Sequence, residues 1–328
     1  MRSARLELAL QSGVLVLPAS GEIVVWRPRA GDDLTMLPKA QVVVKTGFKP
    51  DHDYFATKGF AMTCTSDVAL AIVCLPRAKA EARAVLAQAA SGLAADGYIA
   101  IDGQKTDGVD AILKECRALG LDVGEVLAKA HGKFALVAPK PALQGWTAQA
   151  QVIDGGFQTM PGVFSADGAD RGSVLLAAAL PPKLPSRVAD LGAGWGYLSR
   201  AVLQRSGVKE LDLIEADAAA LDCAKTNVTD PRARFHWADA TTFKPARLWD
   251  AVVMNPPFHT SRDADPALGA AFIHAAQRAL TPAGCLWMVA NRHLPYDRVL
   301  TALFREIEDI GGDGAFRVIR AAYPVRTR

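Results

Sequence analysis

The chain has 328 residues, 50% of them hydrophobic and 22% charged, with a formal net charge of +3. That length suggests two domains at about 100–200 residues each, and the apolar fraction is ample for packed cores, which excludes disorder as the main state. Residues 1–150 and 151–328 each sit within a couple of charges of neutrality, so neither half is a basic nucleic-acid arm, and any nucleic acid must be held by local patches.

The first half opens with β-rich runs at Gly13 to Pro18, Ile23 to Trp26 and Gln41 to Val44, followed by Val68 to Leu75. A charged helical pattern, Arg77 to Ala90, ends at the Ser91-Gly92 break. A strand at Gly97 to Ile101, a helix at Gly108 to Leu119 and a strand at Lys133 to Ala138 complete an α/β alternation. Pro139 to Phe157 is polar and rich in small residues and reads as a linker, with room for a strand near Gln149 to Ile153.

The alternation then restarts more clearly. A helix at Ser173 to Leu180 is closed by Pro181-Pro182, and a strand at Arg187 to Leu191 runs into a glycine-rich turn and a helix at Tyr197 to Gln204. Strand Glu210 to Glu215, helix Ala218 to Asn227, strand Ala233 to Trp237, strand Ala251 to Met254, helix Pro266 to Leu280 and strand Cys285 to Ala290 follow. A helix at Tyr296 to Ile307 and a strand at Ala315 to Tyr323 end the series. Such continuous apolar runs are the mark of buried parallel strands. The similar alternation of the two halves suggests an ancient duplication, which superposable halves would support and different strand orders would contradict.

Four features carry chemistry. In VADLGAGWGYLSR, a buried strand ends at Asp190 and Leu191, and Gly192, Gly194 and Gly196 turn the chain into a helix. Glycines permit positive φ and let a ligand approach the backbone. The spacing is GxGxG followed by Tyr197, not the dinucleotide GxGxxG. Glu215 ends the next strand, about 20 residues on, where a carboxylate can accept both ribose hydroxyls of an adenosine. Asp217 reads as a helix N-cap. Asp239, just past the following strand, is placed either to accept from an adenine amino group, with the Ala240 N–H reaching a ring nitrogen, or to form a turn.

The fourth feature, WDAVVMNPPFHT, is the most specific: a strand that ends in Asn255-Pro256-Pro257-Phe258. The paired prolines hold the chain extended and stiff, so the Asn255 side chain and the Pro256 carbonyl can face a substrate as fixed acceptors. A nucleobase amine is a poor nucleophile because its lone pair is delocalised into the ring. Two acceptors gripping its N–H groups draw the nitrogen towards tetrahedral geometry, while Phe258 offers a stacking face.

Absences narrow the choice. The five cysteines (Cys64, Cys74, Cys116, Cys223, Cys285) form no CxxC pair or disulfide framework and none follows a proline. This fits a reducing cytoplasm with the thiols packed in cores and excludes the Pro-Cys nucleophile of cytosine-C5 methylation. No HExxH or Walker A pattern occurs, so no metal is assigned. His236 lies within a strand and reads as packed, whereas His259 adjoins the Asn-Pro-Pro-Phe motif. Val68 to Leu75 and Val174 to Leu184 are too short or proline-broken for the roughly 20 residues of a membrane span, and Glu7 interrupts the one segment that mimics a signal peptide.

The second half, Pro161 to about Arg326, resembles the bacterial small-subunit ribosomal RNA guanine-N2 methyltransferases and their large-subunit relatives. The stretches that carry the resemblance are PGVFSADGADRGSVLL (Pro161 to Leu176), DLGAGWG (Asp190 to Gly196), MNPPFH (Met254 to His259), VANRHLPY (Val289 to Tyr296) and FRVIRA (Phe316 to Ala321). The resemblance implies an α/β fold of two tandem class I methyltransferase (Rossmann-like) domains. Residues 1–145 would be a degenerate copy serving support and RNA binding, and 146–328 the catalytic copy. In the first half Leu75-Pro76-Arg77-Ala78 stands where a catalytic copy would carry Asn-Pro-Pro, with no GxGxG loop before it. Lys39, Lys45, Lys49, Arg77 and Lys79 are its candidate RNA contacts, or a plain solvated surface.

The implied reaction moves a methyl group from S-adenosylmethionine (AdoMet) to the N2 amine of a guanine in 16S ribosomal RNA, releasing S-adenosylhomocysteine. Phe164, Ser165, Asp190, Gly192, Gly194, Gly196, Glu215, Asp239, Ala240 and Asn255 are the candidate cofactor residues. Asn255, Pro256, Pro257 and Phe258 are the candidate catalytic residues, and His259, Arg292 and Pro295 the candidate substrate contacts. The expected setting is a cytoplasmic monomer that acts on ribosomal RNA or a ribosomal subunit, without membrane or metal. The alternatives are the same chemistry on a 23S rRNA guanine, a DNA adenine or a protein glutamine, and a non-catalytic RNA-binding assembly factor.

Overall fold

The computed structural model describes residues 2–139, 141–257 and 266–326. They divide into two compact units, Met1–Ala150 and Gln151–Arg328.

The first unit runs α1 (Arg2–Gln11), β1 (Glu22–Trp26), β2 (Val42–Lys45), α2 (Lys49–Thr57), β3 (Val68–Cys74), α3 (Lys79–Ser91), β4 (Leu93–Gln104), α4 (Val109–Ala118), β5 (Val123–Lys129) and β6 (Gly132–Val137). Its sheet has the order β2-β1-β3-β4-β6-β5. The first four strands are parallel, and β6 runs antiparallel to both β4 and β5. Successive strand residues feed opposite faces: Val24 and Val43 enter one core, Ile23, Val25, Val42 and Val44 the other. This two-sided burial follows from the side-chain period of two and explains the uninterrupted apolar runs.

The second unit begins with a small hairpin, β7 (Gln151–Ile153) and β8 (Phe157–Thr159), then α5 (Arg171–Ala179). The alternation continues with β9 (Arg187–Leu191), α6 (Tyr197–Leu203), β10 (Glu210–Glu215), α7 (Ala218–Asn227), β11 (Ala233–Trp237), β12 (Trp249–Met254), α8 (Pro266–Ala279), β13 (Leu280–Asn291), α9 (Asp297–Leu303), β14 (Phe304–Gly312) and β15 (Phe316–Pro324). The sheet order is β11-β10-β9-β12-β13-β15-β14, parallel through β13 and antiparallel beyond it. The chain leaves β9 in one direction and returns to β12 on its other side, so a topological switch point lies between these strands. That is where open α/β sheets bind ligands.

The first sheet repeats the order and strand directions of the second with one edge strand fewer, the counterpart of β11. Both sheets fit the tandem architecture that the resemblance implies. The strand orders do not differ in the way that would contradict the duplication.

Several sequence expectations need correction. Gly13 to Pro18 is turn and coil, not strand. The segment before it forms α1, whose fully buried Arg5 pairs with Asp102, so a charged residue hid an inward face. The helix expected over Tyr296 to Ile307 stops at Leu303, and Phe304–Gly312 is instead the edge strand β14. Its mostly exposed, charged residues obscure the alternation. The helix α2 and the strand β5 were not expected; each buries a single residue, Phe55 and Leu127.

One close approach fixes how α8 packs. A Cβ at Gly269 would lie 1.9 Å from Tyr296 Oη and 2.5 Å from its Cζ, where no atom fits. Gly269→Ala is therefore expected to destabilise the protein by about 3 kcal/mol, measured as a fall in denaturation midpoint. An unchanged midpoint would contradict this packing.

Candidate active site

The switch point of the second unit is flanked by the glycine loop after β9 and by Asn255 after β12. Phe164, Ser165, Asp170, Ser173, Gly192, Gly194 and Asn255 line one cleft there, with Trp195 and Tyr197 at its side.

Asn255 is held in a single orientation. Its Nδ2 donates to Asp170 Oδ2 at 2.8 Å and to Ser173 Oγ at 2.9 Å. Asp170 is itself fixed as the N-cap of α5, where the same Oδ2 accepts from the Ser173 N–H at 2.9 Å. Both amide hydrogens of Asn255 are thus engaged, and its Oδ1 is left buried with no hydrogen-bond partner among the described residues. Rotating the amide would turn that oxygen against a carboxylate, so the free acceptor has a fixed direction. Pro256 is buried and Pro257 exposed. Phe258 and His259 lie outside the described residues.

The glycine loop has the conformation its composition demands. Gly192, Gly194 and Gly196 have φ of +74°, +55° and +93°. Their environments differ. A Cβ at Gly194 would meet nothing within 4 Å, so open space lies above it, whereas one at Gly196 would come within 2.8 Å of Val228 Cγ2. Gly196 therefore serves packing of α6 against α7, and Gly194 serves access. Ser165 also has positive φ, +54°, a costly conformation for a non-glycine residue that favours functional sites. The Trp195 indole donates to the Phe164 carbonyl at 2.9 Å, tying the segment before α5 to the loop, and Phe164 is 62% exposed.

Glu215 joins this arrangement through backbone bonds. Its Oε2 accepts from the Gly194 N–H at 2.8 Å and its Oε1 from the Asp217 N–H at 2.7 Å. A carboxylate has about four acceptor positions, so two remain for a vicinal diol. Desolvation pushes its carboxyl upward. Asp217 caps α7 through Ala219, as its position suggested. Asp239 adopts the turn alternative: its Oδ1 accepts from the Thr241 N–H at 2.8 Å and the Thr241 hydroxyl at 2.7 Å, leaving its other oxygen for any ligand. Ala240 beside it is buried. Arg292 and Pro295 are exposed beyond the end of β13, and Arg292 Nε donates to the Asp313 carbonyl at 2.6 Å. Neither lines the cleft.

Asp190 lies beneath the loop, fully buried. Its Oδ2 accepts from Ser199 Oγ at 2.6 Å, and its Oδ1 has no partner among the described residues. Burial pushes its carboxyl up to about 7. A raised acid favours the folded state below its unfolded value of 3.8 and loses that increment as the pH climbs to about 7. The loss is on the order of 4 kcal/mol at about 1.4 kcal/mol per unit. Asp190→Asn is expected to flatten the fall in stability of the cofactor-free protein over that interval, followed by chemical denaturation at several pH values. Parallel profiles for variant and parent would contradict the assignment.

The donor set fits AdoMet: a glycine loop with free space, a carboxylate with acceptor capacity at the next strand end, and two buried acceptors without partners. Sequence reasoning missed Asp170 and Ser173 as parts of the site. The signal was present in the D-R-G-S of the segment before α5, but it is that of any capped helix. The five cysteines are all free, four of them buried, and no cluster suited to a metal occurs among the described residues. No helix among them is long and apolar enough to cross a membrane.

Residues 154–320 match the methyltransferase small domain family. The chain is 30% identical over 251 residues to the ribosomal RNA small subunit methyltransferase C of Cronobacter sakazakii, covering 75% of this chain and 73% of that protein. The protein of the same name from Salmonella choleraesuis is 32% identical over 191 residues, 58% of this chain and 56% of that one. Among solved structures, the T. thermophilus 16S rRNA N2-guanine methyltransferase, in complex with AdoMet and guanosine, superposes with a TM-score of 0.79 at 25% identity, over 94% of this chain and 89% of that one. With both halves of the chain accounted for by these similarities, it belongs to the ribosomal RNA small subunit methyltransferase C family.

Proposed function

We propose that the second unit transfers a methyl group from AdoMet to the exocyclic N2 amine of a guanine in 16S ribosomal RNA. The observation that carries this reading is the fixed, unpartnered Asn255 Oδ1 at the switch point, beside the glycine loop and one residue before the paired prolines.

AdoMet, when bound, supplies a methyl group made electrophilic by its sulfonium. The chain's own work is positioning. Glu215 would accept the ribose hydroxyls, and Gly192 and Gly194 would let the cofactor approach the loop. Asn255 Oδ1 and the Pro256 carbonyl would each accept an N–H of the guanine amine, aligning its lone pair for in-line attack, a geometric effect worth several kcal/mol. The target base must leave its stack to reach this position, and Phe258 and His259 are the proposed contacts for its face. The proton lost from nitrogen after transfer can pass to water, so no strong base is required. We assign the first unit to support and RNA binding. The RNA substrate suits a protein of the ribosome's own compartment, the cytoplasm, and acting as a monomer is part of this proposal.

Incubating the protein with labelled AdoMet and separate 16S rRNA, 23S rRNA, DNA and protein fractions tests the acceptor. Label is expected in 16S rRNA. Label confined to another fraction would replace the acceptor while leaving the chemistry. Failure to bind AdoMet at all would favour a non-catalytic assembly factor.

A further inference from the structure

The first unit has its own switch point, between β1 and β3, and it is not filled. A cleft of about 280 Å³ lies there, lined by Arg2, Arg27, Arg29 and Arg77 together with Asp51 and Glu81. Arg27 directly follows β1, as Gly192 directly follows β9, and it keeps a positive φ of 55° despite its side chain. Arg77 follows β3 in the segment that corresponds to Asn-Pro-Pro after β12. The switch point of the fold is thus retained, but arginines stand around it in place of the glycine loop, and Leu75 directly follows β3 where Asn255 directly follows β12.

The charge balance favours an anion. Arg2 pairs with Asp32 at 2.8 Å and Arg27 with Glu81 at 2.7 Å. Asp51 Oδ1 accepts from the Ala30 N–H at 2.7 Å, and burial raises its carboxyl. The guanidinium groups of Arg29 and Arg77 form no ion pair among the described residues, and both residues are exposed. They stand on opposite sides of the switch point, one after each strand. Guanidinium presents a planar fork of donors that matches phosphate oxygens.

We propose that this cleft binds a phosphodiester group of the substrate RNA, so that the lost cofactor site of the first unit has become a backbone-phosphate site. This rests on the RNA reading given above and extends it to a defined location. A phosphate contact contributes sequence-independent affinity and fixes register, which suits a near-neutral protein that must hold RNA by a few local patches.

The test uses the full-length double variant Arg29→Ala/Arg77→Ala, which breaks no ion pair among the described residues. Lys114→Ala on the exposed face of α4 serves as a control that removes charge elsewhere in the unit. Affinity for 16S rRNA is measured over a salt series, with AdoMet affinity and denaturation midpoint measured in parallel. The double variant is expected to bind RNA about tenfold more weakly, with the slope of log affinity against log salt reduced by about 1 to 2. AdoMet affinity, midpoint and the Lys114→Ala control should stay unchanged. Unchanged RNA affinity and salt slope would overturn the proposal. So would tight binding of inorganic phosphate or adenosine monophosphate to the parent, lost in the double variant while RNA binding is kept, because that result assigns the cleft to a free ligand. If the parent neither binds nor methylates RNA, the functional reading fails instead, so the two failures are distinguishable.

Discussion

Asn255→Ala is expected to lower kcat by roughly 100- to 1,000-fold while leaving AdoMet affinity near that of the parent. The amine of guanine becomes a competent nucleophile only when its hydrogens are gripped by acceptors that are already in place. Removing one such preorganised group typically costs about 2.7–4 kcal/mol in the transition state. Asn255 Oδ1 is preorganised because Asp170 and Ser173 occupy both of its amide hydrogens. Asp170→Ala should therefore reproduce part of the loss by releasing the amide, lowering kcat up to about 100-fold with a smaller change in KM. Asp170 acts as a positioning residue, and the split between kcat and KM distinguishes that role from general destabilisation, as does the denaturation midpoint. Steady-state kinetics with labelled AdoMet and calorimetric titration of the cofactor supply both readouts. An Asn255→Ala protein with parental turnover would remove the proposed role of this residue.

Glu215→Ala should have the opposite profile, with binding lost first. Hydrogen bonds to a charged group are each worth about 1.5–3 kcal/mol, and Glu215 would make two to the ribose while also anchoring the Gly194 and Asp217 N–H groups. A loss of about 3 kcal/mol corresponds to roughly a hundredfold rise in Kd. Glu215→Gln keeps one acceptor and should fall between the two. Calorimetric titration of AdoMet and S-adenosylhomocysteine decides this, and equal affinities for Glu215→Ala and parent would place the ribose elsewhere.

The catalytic half was the more legible in sequence because buried parallel strands are written as unbroken apolar runs. Strands Arg187–Leu191, Glu210–Glu215 and Ala233–Trp237 have the bounds read from the sequence, although Asp212, Arg234 and His236 interrupt their apolar residues. Edge elements were obscured for the complementary reason. Phe304–Gly312 pairs on one side only and spends most of its residues in water, so its charges mask the period of two. The N-terminal helix was hidden by Arg5, whose inward face makes sense only once Asp102 is brought beneath it from 97 residues away.

The same division holds within the site. Asn-Pro-Pro and the glycine loop are local, contiguous and chemically unusual, so they could be read directly. The partners that orient Asn255 lie 85 and 82 residues upstream and resemble an ordinary helix cap. Asp239 could serve as ligand or turn former by its position, and only the Thr241 bonds disclose the turn. The arginine-lined cleft was invisible for a third reason: its members come from the N-terminal helix and from the ends of two different strands, united by the fold alone.

The most direct test of the central claim is to map N2-methylguanine in 16S ribosomal RNA from cells with and without this protein, using mass spectrometry of ribonuclease fragments. One guanine is expected to lose its N2-methyl group when the protein is absent, to regain it with the parent and to stay unmodified with Asn255→Ala. An identical methylation map with and without the protein, or full restoration by Asn255→Ala, would contradict the account.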